Sequence, residues 1–130
     1  MRLGLSVRVS LALTTVFMLS LRAQPQSPYR VTDLGTLPGY TESHAYGINN
    51  RGQVVGAAFT AGVLPRAVLW DKGEMIDLGV LPGDTYSAAW AINDTGQVVG
   101  DSFSAWTLNG FLWYKGAMFK LDPLADAPST

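Results

Sequence analysis

Short runs of alternating apolar and polar residues, separated by Gly, Pro, Asn and Asp, extend from residue 29 to residue 121. Alternation of this kind predicts β-strands, and the separating residue types predict turns. The predicted strands cover residues 29–34, 44–48, 53–59, 67–70 and 74–78, followed by 88–92, 97–103, 110–113 and 117–121. The pattern therefore predicts an all-β, antiparallel fold.

The segments between these strands predict three kinds of connection. Residues 49–52 and 93–96 predict tight hairpin turns, because Asn and Asp tolerate left-handed backbone angles and Gly adopts them without steric cost. Residues 71–73 and 114–116 predict two further turns. Residues 60–66 and 104–109 differ in length and composition, as is usual for surface loops.

A 24-residue pattern occurs twice, at residues 33–56 and again at 77–100, an offset of 44 residues with 16 identical positions. A period of roughly 40–50 residues with four strands is typical of β-propeller blades. A small twisted β-sandwich of two meanders is the alternative, and a β-solenoid fits less well because its coils are usually shorter. Propellers contain roughly four to eight blades. The chain is accordingly expected to assemble with copies of itself, to be part of a longer array, or to form a lesser structure.

The repeats define the expected organisation of the chain. A β-repeat domain spans residues 31–124, with repeat 1 at 33–76, repeat 2 at 77–119 and a partial third repeat at 120–124. Residues 24–30 read as a flexible, proline-containing lead-in. Residues 125–130 are expected to form a disordered tail.

The first 23 residues have the features of a secretory signal peptide. Arg2 and Arg8 precede an uncharged, mostly apolar run at residues 9–21, and Ala23 supplies a small residue at its end. The run is shorter than the roughly 20 residues needed to cross a bilayer. An uncleaved anchor or a misassigned start codon is the alternative. We therefore expect a secreted, periplasmic or cell-envelope protein without a stable membrane span after cleavage.

Composition narrows the possible chemistry. The chain contains no cysteine and a single histidine, His44, which excludes disulfides, thiolate sites and repeated imidazole sites. Residues 24–130 carry 6 basic and 10 acidic side chains, a formal charge of 6 − 10 = −4. A negative balance argues against nucleic-acid binding, which depends on the neutralisation of phosphates.

Three blocks of the sequence resemble the HAF repeats of exported bacterial proteins. They read Asp-Leu-Gly-x-Leu-Pro-Gly, Ile-Asn-x-x-Gly-Gln-Val-Val-Gly and Phe-Leu-Trp-x-x-Gly-x-Met, and the resemblance covers about residues 31–121. The His-Ala-Phe tripeptide that names the family is degenerate, with Arg66-Ala67-Val68 in one copy and Asn109-Gly110-Phe111 in the other. The resemblance implies an extracellular, propeller-like protein and assigns no catalytic residue.

The repeated positions form a structural signature, for which we expect turn geometry and packing rather than ligand contacts. Its members are Asp33, Gly35, Pro38, Gly39, Ile48, Asn49, Gly52, Gln53, Gly56 and Trp70 in the first copy, and Asp77, Gly79, Pro82, Gly83, Ile92, Asn93, Gly96, Gln97, Gly100 and Trp113 in the second. We expect the acidic residues near the turns to cap and brace them rather than to bind calcium, because no Asp-x-Asp-x-Asp-Gly spacing occurs.

Aromatic residues are the candidate ligand contacts. Trp106, Tyr40 and Tyr86 lie in predicted loops or near strand ends, where they could present flat faces to a sugar or a protein. Tyr46 and Trp90 share one repeat position, and for them we expect packing in the interior.

These observations predict an exported, non-enzymatic β-repeat protein that serves as a structural or protein-interaction module. A carbohydrate-binding module is the alternative. No catalytic, metal or cofactor site is expected, because acid–base and metal-binding residues neither repeat nor cluster. The partner is an unidentified protein or glycan, and homo-oligomerisation is possible.

Overall fold

The computed structural model describes residues 28–123 and contains eight antiparallel β-strands in two sheets. Sheet 1 consists, in chain order, of β1 (Glu42–Ile48), β2 (Val54–Thr60), β3 (Val63–Asp71) and β4 (Glu74–Gly79). Sheet 2 consists of β5 (Tyr86–Ile92), β6 (Val98–Phe103), β7 (Leu108–Tyr114) and β8 (Ala117–Leu121). The predicted all-β antiparallel class is confirmed, with four strands in each sheet. The two sheets remain separate and do not close on each other.

The Leu-Pro-Gly signature forms a β-turn before each sheet. The Tyr40 backbone N–H donates to the Leu37 carbonyl at 3.0 Å, and Asp84 donates to Leu81 at 3.0 Å. Gly39 has a φ of 86°, the left-handed angle that the third position of a type II turn requires after proline. These turns place Leu37 and Leu81 in the core.

The preceding Asp-Leu-Gly residues make the same local bond in both copies, before sheet 1 in the first copy and at the end of β4 in the second. The Gly35 N–H donates to Asp33 Oδ1 at 2.9 Å, and the Gly79 N–H donates to Asp77 Oδ1 at 2.8 Å. These bonds are of the local side-chain-to-backbone type that favours turns. Asp33 makes this bond outside any strand, whereas Asp77 makes it within the last residues of β4.

The turns at 49–52 and 93–96 are tight, but Asn and Asp contribute to them in an unexpected way. Gly52 and Gly96 have positive φ, whereas Asn49, Asn50, Asn93 and Asp94 do not. The asparagine side chains act instead as caps, as shown by Asn49 Oδ1, which accepts from the backbone N–H groups of residues 51 and 53 at 3.0 Å each. The expectation that Asn and Asp adopt left-handed backbone angles here is wrong, because their side chains stabilise the turns through hydrogen bonds to the backbone instead.

The first strand of each sheet contains a β-bulge at an aromatic residue. Ala45 pairs with Gly56 and Gly47 pairs with Val55, which leaves Tyr46 as the extra residue. In sheet 2 the extra residue is Trp90. A bulge changes the direction of the side chain it carries.

Each sheet has two faces that we name from the strand register. The front face carries Val55 and Leu69 in sheet 1 and Val99 and Leu112 in sheet 2, whereas the back face carries Val54 and Trp70 in sheet 1 and Val98 and Trp113 in sheet 2. Equivalent residues of the two repeats therefore lie on equivalent faces.

The sheets stack front to back. One buried cluster joins the front face of sheet 1 to the back face of sheet 2, and its members are Val55, Ala67, Leu69, Leu78, Leu81, Ala89, Val98, Phe111 and Trp113. β5 packs against β1, β2 and β3. A second cluster, on the back face of sheet 1, contains Leu37, Ala58, Val68 and Trp70. Trp70 and Trp113 are core residues, as the sequence predicts.

The predicted strand at residues 29–34 is absent, since residues 28–41 contain no strand. Its repeat counterparts lie in β4 and β8, which pair with β3 and β7. The sheets lie within the compact unit that begins at Asp33, and residues 28–32 contain no helix or strand.

The strands also differ from the predicted repeat boundaries. Residues 63–66, predicted as loop, belong to β3, because a tight turn at Ala61 and Gly62 lets Thr60 pair with Val63. β4 ends with Asp77–Gly79, the first residues of the second signature copy. The second repeat and the partial third repeat therefore begin inside the last strand of the sheet that precedes them.

The predicted signal peptide (1–23), most of the lead-in (24–30), Leu124 of the partial repeat and the predicted tail (125–130) lie outside the described residues.

Candidate functional site

The two hairpin turns at residues 49–52 and 93–96 stack on each other along one end of the sheets. The Asn49 side chain donates to the Asn93 carbonyl at 3.0 Å. The Asn50 backbone N–H and Nδ2 donate to the two carboxylate oxygens of Asp94 at 2.9 and 2.8 Å. Arg51 donates to the Asp94 carbonyl at 3.3 Å. These bonds form a turn ladder between one repeat and the next.

The turn ladder lowers the pKa of one carboxyl group, that of Asp94. Hydrogen bonds from the Asn50 side chain, and then from its backbone N–H, hold the pKa of Asp94 below its ordinary value of 3.8, and the Arg51 charge acts in the same direction. The carboxylate is therefore ionised at neutral pH and acts as an acceptor that joins the two turns.

A small cleft of about 230 Å³ lies between this end of sheet 1 and the β7–β8 turn of sheet 2. Its lining includes Arg51, Gln53, Asp71, Thr95 and Lys115. Gln53 is buried and donates to Asp71 at 2.9 Å, while its oxygen accepts from Asn49 at 2.8 Å. The cleft is smaller than the roughly 300–1,000 Å³ of ordinary ligand pockets. Because the Gln53 amide in its lining is already hydrogen-bonded to Asp71 and Asn49, the cleft is a weak candidate for a ligand site.

Tyr46 and Trp90 form an exposed aromatic pair instead of the expected interior packing. Their side chains are 40% and 46% exposed, with ring centroids 4.7 Å apart. The Trp90 indole N–H donates to Asp101 at 2.7 Å, which fixes the ring orientation. The expectation that these residues are buried is wrong, because the bulges turn both side chains away from the core.

The three predicted ligand contacts have different environments. Trp106 is 93% exposed in the loop between β6 and β7. Tyr40 packs against the second buried cluster and donates its hydroxyl to the Leu64 carbonyl at 3.2 Å. Tyr86 stacks on Phe103 with centroids 4.7 Å apart. Within residues 28–123 no ring contact joins any two of the three.

His44 is an exposed residue of β1. Its ring lies 5.0 Å from the Phe59 ring, and its Nε2 is 3.8 Å from a Glu42 carboxylate oxygen. In the part of the chain that the structure describes, no group of three or more His, Asp and Glu side chains is arranged to hold a metal ion.

The front faces of the two sheets differ in the exposure of equivalent apolar residues. Val55 is 0% and Leu78 is 5% exposed in sheet 1, whereas their counterparts Val99 and Leu121 are 40% and 48% exposed. Phe119, which pairs with Leu112 on the same face, is 54% exposed, and its counterpart Ile76 is 36% exposed. Apolar side chains that one repeat buries are therefore presented to solvent by the next.

Sequence reasoning missed both the exposed front face of sheet 2 and the turn ladder. The signal was present in the offset of 44 residues, which relates Val55 to Val99 and Asn50 to Asp94. The offset establishes equivalence of positions, but only the stacking of the sheets shows which member of each pair is covered.

Comparisons of the chain with protein-family models, curated proteins and solved structures find no match. Among residues 28–123, no helix has the length and apolar character required to cross a bilayer.

Proposed function

We propose that the chain is an exported, non-enzymatic repeat protein of the HAF type, in which each four-stranded sheet is a propeller-like blade. Its role is that of a structural or protein-interaction module of the cell envelope or the extracellular space. The observation that carries the proposal is the exposed apolar front face of sheet 2, at Val99, Phe119 and Leu121. Contiguous exposed apolar surface of this kind is typical of protein-interaction sites.

The direction of stacking supports the blade interpretation. In a sandwich related by two-fold symmetry, equivalent faces meet, as they do in isologous interfaces. Here the front face of sheet 1 meets the back face of sheet 2. The same operation could add another sheet, which is the arrangement of successive propeller blades.

The polar contacts support a non-enzymatic role. Gln53 and Asp71 bond to each other, as do Asn50 and Asp94, and both pairs brace turns. Catalytic polar groups, in contrast, converge on a position that a substrate can occupy.

The interaction role can be tested by site-specific photo-crosslinking in producing cells. A crosslinking amino acid at position 99 samples the front face of sheet 2, and one at position 72 samples the exposed β3–β4 turn as a control. We expect discrete protein adducts from position 99 and few from position 72. Equal or absent adducts from the two positions in the folded, exported protein would contradict an interaction role for this face.

A second candidate function, carbohydrate binding, is favoured by Trp106 alone. Its 93% exposure leaves an indole face open to a sugar ring. Retention of the protein on immobilised polysaccharides should then fall on Trp106→Ala and persist on Leu108→Ala, a nearby exposed apolar control. Failure of every polysaccharide in a broad panel to retain the wild-type protein would eliminate this candidate.

A further inference from the structure

We propose that the front face of sheet 2 is a self-association surface whose occupant is sheet 1 of a second copy of this chain. The second copy is oriented on sheet 2 in the same way that sheet 2 is oriented on sheet 1. This inference rests on the proposed function, since it names the partner of the same surface.

The first support is continuity with an existing interface. Within the chain, the front face of sheet 1 is covered by the back face of sheet 2. The middle two strands of sheet 2 present equivalent front-face positions in the same register, with Val99 paired to Leu112 as Val55 is paired to Leu69. A surface built from the same pattern is complementary to a sheet of the same kind.

The second support is the open end of the turn ladder. Asn49 Nδ2 donates both to Gln53 Oε1 within its own turn and to the Asn93 carbonyl of the next turn. Within the described residues, Asn93 Nδ2 makes only the first type of bond, to Gln97 Oε1 at 2.6 Å. In the proposed contact, Asn93 gains the Asn49 carbonyl of the second copy as its acceptor.

The third support is the aromatic pair. The Tyr46 ring contacts the Trp90 ring across the sheet interface in a tilted arrangement, with an interplanar angle of 32°, and both rings remain partly exposed. Another copy added in the same orientation brings its own Tyr46 to Trp90. The aromatic contact is then repeated between the two copies, together with the apolar core and the turn ladder.

The complementary surface is the back face of sheet 1. Val54 on this face is partly exposed, whereas its counterpart Val98 is 0% exposed beneath sheet 1. Tyr40 and Met75, which flank the cluster on this face, are also only partly buried. These three side chains would contact the front face of sheet 2 in the neighbouring copy.

Front-to-back contacts between identical chains are heterologous, and they generate a ring when the rotation closes. Each chain contributes two sheets. A ring of about two to four chains would therefore supply the roughly four to eight blades of known propellers.

The test is the mass of the full exported chain in solution, measured by size-exclusion chromatography with light scattering. We expect a discrete oligomer for the wild type and a single-chain mass for Leu121→Lys, which places a charge on the front face of sheet 2. Val63→Lys is the matched control, because Val63 is 47% and Leu121 48% exposed, but Val63 lies at the β2–β3 turn of sheet 1. It should retain the wild-type mass.

Phe119→Glu on the same face provides a second variant, and the circular dichroism spectrum of each variant reports folding. A wild-type oligomer that persists in both folded front-face variants would overturn the assigned surface. A wild-type monomer that nevertheless forms adducts with another protein from position 99 in cells would overturn self-association and leave the interaction role standing. A monomer without adducts would overturn both.

Discussion

Gly47 and Ala91 occupy the same repeat position and meet different surroundings. A Cβ atom at Gly47 would lie 3.0 Å from the Trp90 carbonyl oxygen and 3.3 Å from the Ala91 Cα. Both are backbone atoms of sheet 2, which cannot move aside as a flexible side chain would. Ala91 has the same orientation on the front face of sheet 2, where it is exposed. A small residue is therefore required at this position in sheet 1, where the second sheet approaches closely.

This difference predicts the outcome of a matched pair of substitutions. Gly47→Val should lower the free energy of unfolding by about 1–3 kcal/mol, the usual cost of overpacking. Ala91→Val should change it little in dilute protein. Chemical denaturation of both variants measures the difference, and equal losses would argue against the close approach of β5 to β1.

Asp94 predicts a defined pH dependence. Because its pKa is lowered in the folded protein by Asn50, its ionisation stabilises the fold above the ordinary pKa, and this contribution is lost as the pH falls through the folded value. The unfolding midpoint of the wild type should therefore fall on acidification more than that of Asp94→Asn. The measurement is thermal unfolding from neutral to acidic pH. Asn50→Ala should also reduce the dependence, and an unchanged slope in both variants would contradict the assignment.

At the scale of elements, a buried serine joins the two sheets. Ser87 Oγ donates to the Gly79 carbonyl at 2.6 Å and accepts from the Ala67 N–H at 3.0 Å. It thereby fixes the β4–β5 connection to β3. Its counterpart Ser43 donates to the Gly35 carbonyl at 2.8 Å but is less buried.

Removal of the two hydroxyl groups should have unequal effects. Ser87→Ala leaves the buried Ala67 N–H without this acceptor, and we expect a loss of about 1–3 kcal/mol in the free energy of unfolding. Ser43→Ala should cost less, because water can replace its hydroxyl. Denaturant titration of both variants tests the difference, and equal effects would contradict it.

The alternation of residue types was sufficient to predict most strands and the antiparallel class. It failed at Tyr46 and Trp90 because a single extra residue in a strand changes the face of a side chain without changing the pattern. It also failed at residues 63–66, where a two-residue turn extends β3, and at residues 29–34, where the structure has no strand despite the alternation. Strand pairing depends on the whole sheet, and a local pattern of residue types carries no information about it.

At the scale of the whole molecule, the stacking of the sheets determines which surfaces are available. The sequence indicated equivalent repeats, but both a sandwich and a propeller-like arrangement were compatible with it. Because the sheets stack front to back, the front face of sheet 1 is covered and the front face of sheet 2 is exposed. Of the predicted ligand contacts, only Trp106 is open on the surface as expected.

Export predicts a processed N-terminus. If residues 1–23 are a signal peptide, the protein recovered from the periplasm or medium should begin at Gln24. N-terminal sequencing and intact mass of the exported form measure this directly. Arg2→Glu together with Arg8→Glu should retain the protein in the cytoplasm as precursor, and recovery of an exported chain that still begins at Met1 would contradict cleavage.

The overlap of β4 with the second signature copy has a consequence for how such proteins change in length. A genetic duplication that begins at Asp77 would carry the final residues of one sheet together with the first three strands of the next and the beginning of its fourth strand. The inserted segment would enter an existing sheet at one end and complete a new sheet at the other. Each addition would therefore be joined to its predecessor by backbone hydrogen bonds from the outset, so that the number of sheets can change without an intermediate in which a sheet lacks its last strand.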